Sequence, residues 1–444
     1  MNVISNKKCY LKRLILVILG VFCFCKIADI LNFLYKDAES GRWERFIMHH
    51  FYEKEENIDN LYLGSSHLYC AVNPLILDEK NEEVNFNLST GSQKFSESYL
   101  LLQEADKRHD IRRVYLEMYY SVHTEDYLYT LQNHFRLLDE IKNSWAKQQL
   151  IWELDPEEEM MAVYLPFVRY RQEIFNIEYI KKQINEKSKA DYREYRYCHT
   201  DENGTVEYIK NGFMSMNKIL SAEDLVFECD DMSENPISDD AMVYLKRIID
   251  YCKENNIELM LFSAPVYELQ IYGTANYDAY VNQVKKVAEE NALKYYDFNL
   301  CKETFLPIQR AEYFSDLGHL NSKGAELFSE VFYDVVTNDR GDYFYDSYEE
   351  KIEKSKPSVY GVLSKKVGET NFSYTIAATK EGKFEYRIDY FSDKEKEWYM
   401  IQDYSENKVF HSSNETEGCF VIRIRKVGEK EDIMELKIVK EEKG

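Results

Sequence analysis

Leu61-Tyr62-Leu63-Gly64-Ser65-Ser66-His67 is an apolar strand that runs straight into a tight Gly-Ser-Ser turn. That geometry lifts a serine hydroxyl to the top of a sheet. Far downstream stands Asp316-Leu317-Gly318-His319-Leu320-Asn321, with a carboxylate and an imidazole three residues apart. One turn of backbone can aim both side chains at the same point. Serine early, with Asp and His together and late, is one chain order for a serine triad, which is defined by roles rather than by sequence position.

The segments between these two stretches decide the fold class. Val84–Leu88 is a second short strand and closes on Ser89-Thr90-Gly91-Ser92; Arg113–Met118 is a third. Asp239–Asn255 is helical, with Met242, Leu245, Ile248, Ile249 and Cys252 at i, i+3, i+4 spacing. A fourth strand, Glu258–Ser263, follows, then a helix over Tyr277–Asn291, a fifth strand at Lys294–Phe298 and a last helix at Ser322–Val336. Strands alternating with amphipathic helices make a parallel, doubly wound sheet. Such sheets bind ligands at the carboxyl ends of their strands. Ser66, Gly91, Glu117 and Pro265 all fall at or just past such ends.

Two further regions flank this sheet or interrupt it. Residues 120–236 form a long insertion, dense in Tyr, Phe and Trp, with Leu165-Pro166-Phe167-Val168-Arg169-Tyr170-Arg171 its most distinctive stretch. It reads either as a lid or substrate wall, or as a satellite helical subdomain with its own small core. Residues 357–440 read as short alternating strands, with Phe372/Tyr374/Ile376, Phe384/Tyr386/Ile388/Tyr390 and Phe420/Ile422/Ile424 on one side. This is the pattern of a small antiparallel β-sandwich.

With 444 residues the chain is too long for one ordinary core. Its net charge is −23; Lys7, Lys8, Lys12 and Arg13 contribute +4, which leaves −27 on residues 14–444. A body so acidic does not hold a phosphate backbone, so nucleic acid is excluded as a partner. The basic cluster leads into Leu14–Cys25, twelve apolar residues, and the apolar character resumes after Lys26 and Asp29 in Ile30, Leu31, Phe33, Leu34 and Tyr35. No small-x-small cleavage site follows. The expectation is an uncleaved signal anchor over roughly 13–35, a transmembrane helix with its basic end cytoplasmic and the body outside. A cleaved signal peptide is the alternative. The expected organisation is then 1–36 basic segment and anchor, 37–57 polar stalk, 58–338 main domain with the 120–236 insertion, and 357–440 accessory domain. The nine cysteines are scattered singly, without zinc spacing, and neither a metal nor another cofactor is expected.

A serine nucleophile needs a base, a group that orients the base, and donors for the oxyanion. Ser66 is the candidate nucleophile, His319 the base and Asp316 its orienting carboxylate; the backbone N–H groups of Ser66 and Gly91 are the candidate oxyanion donors. His67 reads as pocket wall, Glu117 as a site residue or a salt-bridged strand end. Arg169 and Arg171 read as contacts to an anionic polymer or as partners of the surplus acids.

Leu63-Gly64-Ser65-Ser66-His67, Asn87-Leu88-Ser89-Thr90-Gly91-Ser92-Gln93 and Phe314–Ala325 resemble the first, second and fifth blocks of the SGNH/GDSL hydrolase superfamily over roughly 58–335. The anchor, insertion and Arg169 stretch look most like the branch related to the teichoic-acid D-alanine transfer protein and the alginate O-acetylation proteins. The resemblance implies a flavodoxin-like three-layer fold and acyl-ester chemistry, O-acyltransferase or esterase and most simply O-acetyl, on a cell-envelope or exported polysaccharide, together with a membrane-bound acyl-transfer protein. A catalytically silent scaffold in an acylation complex is the alternative. One departure stands out. The family's third block supplies an asparagine to the oxyanion hole, whereas here the strand reads Tyr115-Leu116-Glu117-Met118, and an ionised carboxylate aimed into the hole would repel the charge.

Overall fold

The computed structural model describes residues 2–123, 134–154, 160–201, 204–233, 235–367, 371–413 and 418–440. The chain divides into two compact units: Met1–Glu53 with Leu128–Cys198, and Lys54–Tyr127 with His199–Gly444.

The second unit holds the parallel sheet, built from β1 (Asn60–Leu63), β2 (Asn85–Asn87), β3 (Arg113–Glu117), β4 (Glu258–Ser263) and β5 (Lys294–Asp297). Their order is β2-β1-β3-β4-β5 and every pairing is parallel. This is the flavodoxin-like order, which puts a switch point beside β1. The register places Tyr62 opposite Tyr115 and Tyr115 opposite Met260, so these side chains share one face. Against that face lies the Ser322–Asn338 helix. Its fully buried Phe332 meets Tyr62, Tyr115, Phe262 and Phe298 with ring centroids 5.0–6.1 Å apart. Leu61, Leu63, Val114 and Leu116 alternate to the other side and are fully buried there. The Phe95–Asp106 and Asp239–Glu254 helices pack against each other and contact the sheet through β1 and β4. The expected three layers are present.

The C-terminal region forms two four-stranded sheets. One runs β10 (Val409–Ser413), β7 (Asn371–Ala378), β6 (Val359–Val367) and the short Val226–Glu228 strand. The other runs β9 (Glu397–Ser405), β8 (Phe384–Ser392), β11 (Gly418–Lys426) and β12 (Asp432–Lys440). The alternating residues Tyr374, Ile376, Tyr386, Ile388, Phe420, Ile422 and Ile424 form its interior. That interior is continuous with the core around Phe328 and Phe332. Val226–Glu228 pairs in parallel with β6, so a strand from the insertion completes one sheet of the sandwich.

The first unit holds the N-terminal helix Asn2–Tyr35, whose Tyr10–Tyr35 portion is long and apolar enough to cross a membrane. Residues 37–57, expected as a polar stalk, contain the helix Arg42–Tyr52, which buries Trp43, Phe46, Ile47, Met48 and Phe51 on one face. The segment expected as one insertion over 120–236 is shared between the units: 128–198 belongs with the N-terminal helix and the remainder with the parallel sheet. The Ile177–Ser188 helix closes the end of the long one. Lys187 Nζ donates to the carbonyls of Asn32, Phe33 and Lys36 and so covers the carbonyl end of that helix.

The ring cluster around Phe332 is the core of the second unit. Phe332→Ala removes a fully buried ring and is expected to cost about 3–5 kcal/mol. Urea unfolding followed by far-UV circular dichroism gives the check.

Candidate active site

β1 ends at Leu63, and Gly64-Ser65 turns the chain into the helix Ser66–Ala71. Ser65 is its N-cap: the hydroxyl oxygen accepts from the His67 N–H at 3.3 Å. Ser66 is therefore the first helical residue, where the N–H has no intrahelical acceptor and faces outward with the positive end of the dipoles. Asn87, at the end of β2, holds the other end of this short helix by donating to the carbonyls of Leu68 and Val72. The Thr90 N–H donates to the Gly64 carbonyl at 3.2 Å, which draws the Ser89-Thr90-Gly91 segment beside the turn.

The second half of the site comes from a closed loop. Phe314 and Leu320 pair as an isolated bridge, both buried, and Asn321 caps the following helix by accepting from the Gly324 N–H. Between them His319 presents Nε2 to the Ser66 hydroxyl at 2.8 Å and Nδ1 to both Asp316 oxygens at 2.9 Å. Asp316 also accepts the backbone N–H groups of Gly318 and His319, each at 2.8 Å. Burial works to raise the Asp316 pKa. The hydrogen bond and charge of His319, with the two amides, outweigh it and hold the carboxyl at about 2. An ionised Asp316 accepts the Nδ1 proton of His319, which aims Nε2 at the Ser66 hydroxyl. The structure thus brings Ser66, His319 and Asp316 together in hydrogen-bonding order.

His67 is buried and holds the loop rather than the serine. Its Nδ1–H donates to the Gly318 carbonyl at 2.5 Å, its ring stacks on His319 at 4.5 Å, and the Tyr119 ring lies tilted against it at 3.6 Å. Burial, reinforced by the His319 charge, keeps its pKa well below the ordinary value, so the ring is neutral. A Cβ on residue 318 would stand 2.5 Å from His67 Cε1, which gives the Asp-x-Gly-His spacing its glycine.

Glu117 ends β3 directly beneath the Gly64-Ser65 turn and is not a salt-bridged strand end. Its Oε2 accepts both the Ser65 N–H at 2.7 Å and the Ser65 hydroxyl at 2.8 Å, while its buried Oε1 makes no hydrogen bond. Gly64 makes room for it, because a Cβ there would meet Glu117 Cβ at 2.5 Å. Burial raises the Glu117 carboxyl to about 7, against the lowering effect of the two Ser65 bonds and the His319 charge. The carboxyl is thus aimed at Ser65.

The later part of the insertion supplies a wall. The Cys70 thiol, on the Ser66 helix, and the Ser315 hydroxyl both point at the Met216 sulfur, and Ser322 donates to the Met216 carbonyl. Arg169 and Arg171 lie in the first unit, where Asp139 takes the Arg169 guanidinium and Arg171 is exposed. Among the described residues no three His, Cys, Asp or Glu side chains converge as a metal site. A cavity of about 630 Å³ lined by Tyr62, Asn85, Arg113, Glu258 and Lys294 opens at the opposite, amino ends of the strands, away from Ser66. The wall, His67 and Asn87 were not assigned these roles from the sequence.

A protein-family model without a functional description matches residues 190–340, less than half of the chain. No curated protein matches. Among solved structures, a GDSL-like lipase from Bacteroides thetaiotaomicron is 8% identical, with 68% of this chain and 100% of that one covered at a TM-score of 0.32. The esterase EstA from Pseudoalteromonas is 10% identical, with 63% and 97% covered at a TM-score of 0.29. Likeness at this level carries no argument; the fold rests on the strand order, and the site on its distances.

Glu117 gives the site a pH signature. Its folded pKa of about 7 lies above the unfolded value near 4.3, so the fold favours the protonated form. That contribution is complete below the unfolded pKa and is lost as pH rises through about 7. Relative to Glu117→Gln, which does not titrate, the wild type is expected to lose about 2–3 kcal/mol between pH 5 and 8. Urea unfolding of both proteins at the two pH values measures it, and a constant difference would remove the titration from Glu117.

Proposed function

We propose that this chain is a serine-dependent enzyme acting on acyl esters, carried by the single observation that His319 joins Ser66 at 2.8 Å and Asp316 at 2.9 Å. In the first step the Ser66 oxygen attacks the acyl carbonyl carbon while His319 Nε2 takes the hydroxyl proton. The developing oxyanion faces the Ser66 N–H at the helix start, with Gly91 as second donor. The C–O bond to the leaving alcohol then breaks, and His319 returns the proton to it. The acyl-serine is discharged by a hydroxyl of an acceptor, or by water, with the same base. Asp316 stabilises the imidazolium formed in between.

The finer reading is an O-acyltransferase or esterase, O-acetyl in its simplest form, acting on a cell-envelope or exported polysaccharide with a membrane-bound acyl-transfer protein as partner. The Tyr10–Tyr35 helix, preceded by Lys7, Lys8, Lys12 and Arg13, supports a single-pass anchor with the catalytic unit outside. Glu117 bears on the silent-scaffold alternative. Its Oε2 is engaged by both donors of Ser65, which supports a positioning role for this carboxyl beneath the turn that carries Ser66.

Fluorophosphonate is expected to label wild type on Ser66, and neither Ser66→Ala nor His319→Ala; a wild type inert to both fluorophosphonate and aryl acetates would favour the scaffold. Gly318→Ala tests the support of the base. The new Cβ must displace the His67 ring, so kcat toward an aryl acetate is expected to fall by about tenfold or more, as for a misplaced catalytic group. The melting temperature should move by only a few degrees, and an unchanged kcat would remove His67 from the positioning of His319.

A further inference from the structure

We infer that the tip formed by Ile174, Phe175 and Ile177 is a membrane-inserting surface that seats in the outer interface of the lipid bilayer, alongside the end of the N-terminal helix. The inference rests on the reading of Tyr10–Tyr35 as a membrane span. Phe175 is 95% exposed, Ile177 64% and Ile174 40%. Three large apolar side chains on one exposed turn mark an interaction site rather than ordinary surface.

What covers them follows from where the tip is tied. The Tyr35 hydroxyl, in the last turn of the long helix, donates to the Ile174 carbonyl at 3.0 Å, and the Tyr179 hydroxyl donates back to the Tyr35 carbonyl at 2.9 Å. One turn earlier, Asn32 Oδ1 accepts the Phe167 N–H at 2.9 Å, a bond that satisfies a polar side chain otherwise facing lipid. Lys187 binds the carbonyls of the same two turns. All of these residues belong to one compact unit.

Depth then follows from helix length. Twenty residues of helix span the roughly 30 Å hydrocarbon core. Counted from Leu14, the first residue after the basic cluster, they end at Phe33. Asn32 and Tyr35 therefore stand at the outer boundary, and so does the turn bonded to them. Phe and Ile on such a turn bury in the headgroup–acyl boundary, and a neighbouring cation meets anionic headgroups. Arg171, exposed on the same segment, is placed to be that cation. Phe33 and Ile30, 48% and 58% exposed on the helix itself, continue the apolar surface toward the bilayer.

The test uses the full-length chain in phosphatidylcholine–phosphatidylglycerol vesicles, with a genetically encoded fluorescent amino acid at residue 175, 22 or 394. Residue 22 lies within the long helix and residue 394 in an exposed turn of the sandwich. Nitroxide lipids labelled near the headgroup are expected to quench residue 175, and aqueous iodide to quench it at least about threefold less than residue 394. Protection of residue 22 from iodide with free iodide access at 175 would overturn the proposal and leave the span standing. Iodide access at both 22 and 175 would show that the span reading itself fails, and the surface with it. Because Phe175 is almost fully exposed, the substitution removes no packing.

Discussion

A carboxyl group buried under a turn sets the geometry of this site. Glu117 reaches from the end of β3 under the chain leaving β1 and takes both donors of Ser65. With N–H and hydroxyl both committed, Ser65 has one conformation available, and that conformation makes Ser66 the first residue of a helix. A hydroxyl at that position is exposed and stands beside an unsatisfied N–H. The arrangement demands glycine at residue 64, because any Cβ there would collide with the same carboxyl. Ser66 is thus positioned by Ser65, Gly64 and Glu117, none of which it bonds through its own hydroxyl.

The other half of the site is held by the same kind of reciprocity. His67 is the residue after Ser66, yet its bond goes to Gly318 and its ring lies on His319. The two distant segments are therefore joined twice, through Ser66 and His319, 253 residues apart, and through His67 and Gly318, 251 apart. Preorganisation of this kind makes a base effective, since a small misplacement costs rate steeply.

Much of this was legible in the sequence because it rests on local pattern. Apolar runs ending at Gly64 and at the Ser89–Ser92 turn, alternating with amphipathic helices, prescribe a parallel sheet, and the sheet brings Ser66 and the Asp316–His319 loop to the same ends of its strands. Phe384, Tyr386 and Ile388 announced the sandwich by strict alternation. What was not legible depends on three-dimensional partners. A lone Glu117 in a strand does not declare whether a cation or a turn faces it, and the helix Arg42–Tyr52 hides a buried face among charged residues in a stretch that reads as stalk. The division of the insertion, with 128–198 in one unit and 199–236 in the other, rests on long-range packing that no local pattern declares.

Two carboxyls at the same end of the sheet have been driven to opposite protonation behaviour, and the contrast assigns their roles. Asp316 is part-exposed, faces an imidazole and two amides, and is held near 2. Glu117 is dry, has one oxygen without a partner, and is lifted to about 7. When environments push paired carboxyls apart, the low one serves as the fixed charge and the high one as a group that can be neutral at working pH. An ionised Glu117 would compete with Asp316 for the imidazolium and weaken the field around any oxyanion at Ser66. Below about pH 7 it is mostly protonated and does neither, and it still accepts from Ser65. A carboxyl at the end of β3 is therefore compatible with ester chemistry at Ser66 because the fold buries it, turns it toward Ser65, and lowers the cost of keeping its proton.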